Sequence, residues 1–246
     1  MVSRSRPTLV LVHGAWHGAW CWDFVTPLLA DAGLQVVSVD LPGRGENMES
    51  LADLHGDAQA VTAVLEAIAG PVVLVGHSYG GAVITEAGVH DRVAHLVYVA
   101  AFALEPGEAV ANAAADEARA VKLDHTGRPR LADALITDDD GETTTVRAEM
   151  AVPLFYNDCP PDVAAWAVPR LGRHRMGNFG QPVEACAWRA HPSTFVACSI
   201  DNAIHPDLQR IMAKRTTHSV EIATDHSPFL GRPQSIADLL IAVATA

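Results

Sequence analysis

The stretch Pro71-Val72-Val73-Leu74-Val75-Gly76-His77-Ser78-Tyr79-Gly80-Gly81-Ala82-Val83 decides the fold. Its consecutive apolar residues read as a buried strand, and the small residues after Tyr79 open a helix expected over 82–87. Between the two lies Gly-x-Ser-x-Gly. A strand that turns into a helix over so few residues forces Ser78 into a strained backbone, and glycine at 76 and 80 lets the flanking chain pass. Ser78 Oγ is then presented at the C-terminal edge of a sheet as a candidate nucleophile. The Tyr79 N–H sits at a helix start, where the helix dipole favours a developing oxyanion. The five-letter pattern alone arises by chance in a Gly-rich chain, so its weight comes from the strand before it and the helix after it.

Outward from this elbow, strand and helix patterns alternate. Strands are expected at 8–12, 35–39 and 95–99, with helices at 22–32, closed by Gly33, and at 51–69. Such alternation implies an α/β fold with a mostly parallel sheet of about six strands, covered by helices on both faces. From 103 to 191 the alternation stops, and Ala-rich and acidic segments, prolines and Trp166 replace it. A stretch this long is not structureless in a compact domain. The expectation is a mainly helical cap over 103–191, inserted into a core formed by 1–102 and 192–246. Strands resume at 194–199 and 218–223, and helices are expected at 206–214 and 233–243.

The 246 residues carry 17 basic and 29 acidic side chains, a net charge of -12, with no Lys/Arg cluster. Nucleic acid and anionic membrane are therefore excluded as expected partners. No apolar run approaches the roughly 20 residues of a membrane helix. Arg4 and Arg6 precede an apolar run that ends at His13, which reads as a first strand and not a leader, so a cytoplasmic location is expected. Cys21, Cys159, Cys186 and Cys198 form no C-x-x-C pair and read as free thiols. The run Asp138-Asp139-Asp140-Gly141-Glu142 lacks the remaining ligand spacing of a calcium loop and reads as a solvated acidic turn. Neither metal nor cofactor is expected. The sequence leaves the oligomeric state open, a homodimer included.

A serine hydroxyl needs an imidazole to take its proton, and the imidazole needs an acceptor on its far nitrogen. In such a sheet all three groups belong at strand C-terminal ends, which removes most of the 12 histidines. His77 flanks the serine and cannot fold back onto it, His218 begins its strand, and His205 heads a helix. His226 follows the last strand directly and is the candidate base. Among carboxylates, Asp207 suits a first helical turn, and Asp225 would have to curl back toward its neighbour. Asp201 leaves the strand at 194–199 and is the candidate acid. The order Ser78, Asp201, His226 is the order expected for this architecture. On the loop after the first strand, Ala15 N–H is the candidate second oxyanion donor. Trp16 and His17 beside it, with Tyr156 and Trp166 from the insertion, are candidate substrate-binding residues. Phe102, Phe155, Tyr156, Trp166 and Phe179 also suit the plainer task of holding the insertion to the body, and that reading is favoured.

These segments carry a resemblance. Leu9-Val10-Leu11-Val12-His13-Gly14-Ala15-Trp16-His17-Gly18-Ala19-Trp20, the elbow, Asp40-Leu41-Pro42-Gly43, Cys198-Ser199-Ile200-Asp201-Asn202-Ala203-Ile204 and Asp225-His226-Ser227-Pro228-Phe229 resemble the α/β-hydrolases of the plant methylesterase and hydroxynitrile lyase branch, with related bacterial esterases. The resemblance implies the α/β-hydrolase fold and an esterase cleaving small, apolar carboxylic esters. It also implies Ser78, Asp201 and His226 as triad and the Ala15 and Tyr79 amides as oxyanion hole. It spans nearly the whole chain except the insertion, where nothing assigns a substrate. The lyases of this branch are expected to carry a lysine directly after the catalytic histidine. Ser227 stands there and argues against cyanohydrin cleavage. A non-hydrolytic receptor or carrier on the same fold, and a lactonase or C–C lyase, are the rival readings.

Overall fold

The computed structural model describes residues 6–139 and 141–246; Arg4 and Asp140, both named above, lie outside the described residues. Six strands, β1 (Thr8–Val12), β2 (Val36–Val39), β3 (Val72–His77), β4 (Val93–Val99), β8 (Ser193–Cys198) and β9 (His218–Ile222), form one sheet in the order β2-β1-β3-β4-β8-β9. Every pairing in it is parallel. The apolar runs explain the placement: β1, β3 and β8 are buried along their whole length, whereas β9, at the edge, is largely exposed. Because the strands are parallel, Val12, His77, Cys198 and Ile222 all end at one rim. The chain leaves β1 toward β2 and then reverses to place β3 on the other side of β1, which makes the rim above β1 and β3 a topological switch point.

Helices cover the sheet as the alternation requires. After a single 3₁₀ turn at Ala19–Trp22, α1 (Thr26–Asp31) packs against the C-terminal α11 (Pro233–Thr245), while α2 (Leu54–Ala67) packs against α3 (Tyr79–Ala87). The reversal of direction between the two crossovers puts these pairs on opposite faces, since each crossover is right-handed. The first helix is shorter than its apolar spacing implies because Pro27 fixes its entry. It ends where Gly33, at φ +78°, donates to Ala30 O and Leu34 N reaches back to Leu29 O. Helix α2 starts at Leu54 because the Asp53 carboxylate accepts from Gly56 N at 2.8 Å.

The segment between β4 and β8 is mainly helical, with a small sheet that the sequence patterning did not announce. It contains α4 (Ala115–Val121), α5 (Leu131–Ala134), α6 (Ala148–Phe155), α7 (Pro161–Ala167) and α8 (Ala187–Ala190). It also holds a three-stranded antiparallel sheet of β5 (Leu135–Thr137), β6 (Thr143–Val146) and β7 (His174–Arg175). The run of threonines ending in Val146 is β-branched and prefers a pleated surface. The described residues of the acidic run lie in the β5–β6 hairpin, with Asp138 N donating to Thr143 O at 2.9 Å and Gly141 N to Asp138 O at 2.9 Å. Back in the main layer, α9 (Pro206–Ala213) packs on β8, and α10 (Pro228–Gly231) follows the loop after β9.

Candidate active site

Strand β3 runs into α3 with one residue between them. That residue, Ser78, is held at φ 52° and ψ -121°, a positive φ that side chains rarely adopt. Main-chain bonds hold the strain: Ser78 N donates to Val99 O at 3.3 Å, while Ser78 O accepts from Gly81 N at 2.9 Å and Phe102 N at 3.2 Å. The loop after β1 lies directly against this elbow. A Cβ on Gly80 would come within 2.6 Å of His13 O, and one on Gly14 within 2.9 Å of both Ser78 Cβ and His77 Nδ1. Only glycine permits either approach. Ala15 and Tyr79, the residues next to Gly14 and Ser78, therefore sit on the two segments that flank the half-buried serine.

His226 lies in the loop between β9 and α10, and Asp201 in the loop between β8 and α9. Both are buried, and His226 Nδ1 donates to Asp201 Oδ2 at 2.7 Å. Asp201 Oδ1 accepts from Ala203 N at 2.7 Å and Ile204 N at 2.9 Å, which fixes the carboxylate against its own loop. His226 is anchored through its main chain as well, because its carbonyl accepts from His77 Nε2 at 2.9 Å. With Nδ1 committed to Asp201, Nε2 is the nitrogen left to serve a hydroxyl. Asp225 takes a separate part: its oxygens accept from Asp158 N and Ser227 N, tying the loop to the insertion.

Around this pair the walls are aromatic. The Phe155 ring, at the end of α6, stands 5.7 Å from the His226 ring and 6.1 Å from Trp16, which itself meets Phe179 and His174. Trp16 is held at φ 61°, and its indole N–H donates to Thr144 Oγ1 at 3.2 Å. His17 and Tyr156 are brought together: His17 Nδ1 donates to Ala15 O at 2.9 Å, and Tyr156 O–H donates to His17 Nε2 at 2.9 Å. This tautomer is neutral, and burial pushes the His17 pKa down to about 4. Trp166 stands apart from this group. Its ring meets Trp20 and Phe24, and the Arg170 guanidinium lies 4.1 Å over it.

The description of the family model that matches residues 9–239 is "Alpha/beta hydrolase family". The chain belongs to the alpha/beta hydrolase family. It is similar to Methylesterase 2 of Arabidopsis thaliana, 28% identical with 98% of this chain and 97% of that protein covered. It is also 28% identical to the Pyrethroid hydrolase of Sphingobium wenxiniae, over 97% of this chain and 88% of that protein. Among solved structures, a pyrethroid hydrolase from Sphingobium faniae superimposes with a TM-score of 0.82 at 25% identity, covering 98% of each chain.

Beneath the elbow of this alpha/beta hydrolase lies an ionic network that sequence reading does not reveal. Arg44 Nη1 pairs with Asp57 Oδ1 at 2.8 Å, Tyr79 O–H donates to Asp57 Oδ2 at 2.6 Å, and Arg44 Nη2 donates to His174 Nδ1 at 3.1 Å. Asn178 Nδ2 adds a bond to the Tyr79 hydroxyl at 3.1 Å. All five side chains are buried. Burial raises the Asp57 pKa to about 6, against the pull of Arg44 and the Tyr79 hydrogen bond. The network joins the exit of β2, the second helix, the elbow residue after Ser78 and the insertion. Arg44 and His174 are 130 positions apart, so neither carries a local signal of the other. His77 is a second such residue: its side chain holds the His226 carbonyl from behind.

Proposed function

We propose that this chain hydrolyses carboxylic esters of small, apolar substrates through an acyl-enzyme, with Ser78, His226 and Asp201 as nucleophile, base and acid. The observation that carries the reading is the Asp201–His226 bond at the same rim as a serine on a strained strand-to-helix elbow. His226 Nε2 takes the Ser78 proton as Oγ attacks the ester carbonyl, and the charge on the imidazolium is offset by Asp201. The Ala15 and Tyr79 amides hold the tetrahedral oxyanion. His226 then protonates the departing alcohol, and water activated by the same imidazole releases the acid and restores Ser78. The oxyanion donors and the general base are each asked for about 10² to 10⁴ in rate.

In this reading residues 103–191 act as a cap whose Phe155 closes over the base. Trp16 and the His17–Tyr156 pair line the apolar side, because their polar atoms are already spent on protein partners. Trp166 serves to fasten the cap, given its contacts. Ser227, buried directly after His226, brings no charge of its own for cyanide chemistry, which supports hydrolysis over lyase action. Four free cysteines suit a reducing compartment such as the cytoplasm. The test is turnover of a short-chain nitrophenyl ester by Ser78→Ala: folded protein with nearly all turnover lost is expected. Unchanged turnover would end the assignment. Tight binding of an apolar ligand by the unmodified chain with no product would favour the receptor reading instead.

A further inference from the structure

We infer that Gln209, on the second turn of α9, is a positioning residue that sets the Asp201–His226 pair, an inference that rests on the triad proposed above. Gln209 is fully buried, and its amide is committed on three sides. Oε1 accepts from Cys198 N, the last residue of β8, at 2.9 Å, while Nε2 donates to Asp201 Oδ2 at 2.7 Å and to Ile204 O at 3.0 Å. This fixes which end of the amide is which. A flipped group would set its oxygen against a carboxylate and a carbonyl and its nitrogen against an N–H, with every contact repulsive.

The bond to Oδ2 matters because the same oxygen receives His226 Nδ1. Oδ1 is held by two amides of its own loop, so four N–H donors fill the four acceptor positions of the carboxylate. Gln209 thus has two effects on the pair. It fixes the angle from which Asp201 meets the imidazole, and it draws on electron density that Oδ2 would otherwise direct wholly to His226. A strand end, an acid and a helix are linked through one amide, whereas the base comes from a different loop. The orientation of the base therefore depends on this link.

The test uses the full chain with Ser78→Ala, Gln209→Met and Gln209→Glu, measuring kcat per site titrated with a fluorophosphonate, between about pH 6 and about pH 9. Gln209→Met keeps the volume and removes the donor. Its kcat per titrated site should fall by ~10- to ~100-fold with KM within about twofold, as misoriented catalytic groups do. Gln209→Glu can donate to Oδ2 only when protonated, so its activity relative to the unmodified chain should rise as pH falls. Superimposable profiles with unchanged kcat per site in both variants would overturn the inference. So would a loss of titratable sites with normal kcat in those that remain, which marks a folding role only. If Ser78→Ala keeps its turnover, or the probe labels nothing, the triad fails and not Gln209 alone.

Discussion

The side chain of His77 donates from Nε2 to the carbonyl oxygen of His226 at 2.9 Å, so the residue before Ser78 holds the backbone of the proposed base. The His77 ring is buried, and burial together with the neighbouring His226 and His17 pushes its pKa well down, so it acts as a neutral donor. Replacing it by leucine leaves the His226 carbonyl buried and unpaired. We expect His77→Leu to cost about 1 to 3 kcal/mol of stability and to lower kcat more than it raises KM. His77→Gln, whose amide can donate, should recover most of both. Denaturant melts and steady-state kinetics on the two variants check this, and equal behaviour of leucine and glutamine would remove the role.

The Arg44–Asp57 pair makes a prediction of unequal parts. Each charge is fully buried, so removing one strands the other. Arg44→Met and Asp57→Leu singly should each cost about 3 to 5 kcal/mol, while the double variant should cost much less than the sum. Asp57→Leu also removes the acceptor of the hydroxyl of Tyr79, the residue that follows the proposed nucleophile. Its kcat should therefore fall further than that of Arg44→Met. A strictly additive double-mutant cycle would contradict the pairing.

Gly14 gives the sharpest steric test. A methyl there would stand 2.9 Å from Ser78 Cβ, far inside ordinary contact, and neither the elbow nor β1 has room to retreat. Gly14→Ala should keep the fold yet lose on the order of 10²-fold in kcat, since displacements near 1 Å at a reacting group have that effect. Near-normal kcat would mean that the first loop is softer than its buried surroundings imply.

The sheet is legible in the sequence because each central strand carries its own signal. Residues 8–12 and 72–75 are runs of aliphatic and β-branched side chains, and Gly33 marks a helix end by local chemistry. The positions of Ser78, Asp201 and His226 follow because each lies one to four residues beyond a strand. The hairpin at 135–146 is illegible by the same logic: β5 is three residues long, and its strand character comes from pairing with β6. Gln209, Arg44 and His174 are illegible for a different reason. Each is an ordinary polar residue in its own window, and only the packing of distant elements shows that its polar atoms are buried. The aromatic residues of the insertion stand between these cases, since their burial could be expected but not whether Phe155 or Trp166 would meet His226.

Stability against pH follows from the buried imidazoles. Burial holds His13 at about 3 and His17 at about 4, against 6.5 in the unfolded chain. Between those values the unfolded chain binds protons that the native state does not, so stability is lost as pH falls through 6.5. At pH 5 each of the two costs about 2 kcal/mol relative to pH 8. His77 and His174, also pushed well down by burial, act in the same direction. Asp57 opposes them: its pKa is raised from 3.8 to about 6, so at pH 5 the native state takes up a proton that the unfolded chain lacks. That returns only about 1.5 kcal/mol, so the histidines decide the sign. The urea midpoint should therefore be far lower at pH 5 than at pH 8, and His17→Gln should narrow the gap by about 2 kcal/mol. Equal midpoints at the two pH values would mean that these rings are protonated in the folded protein, against the desolvation that burial imposes on them.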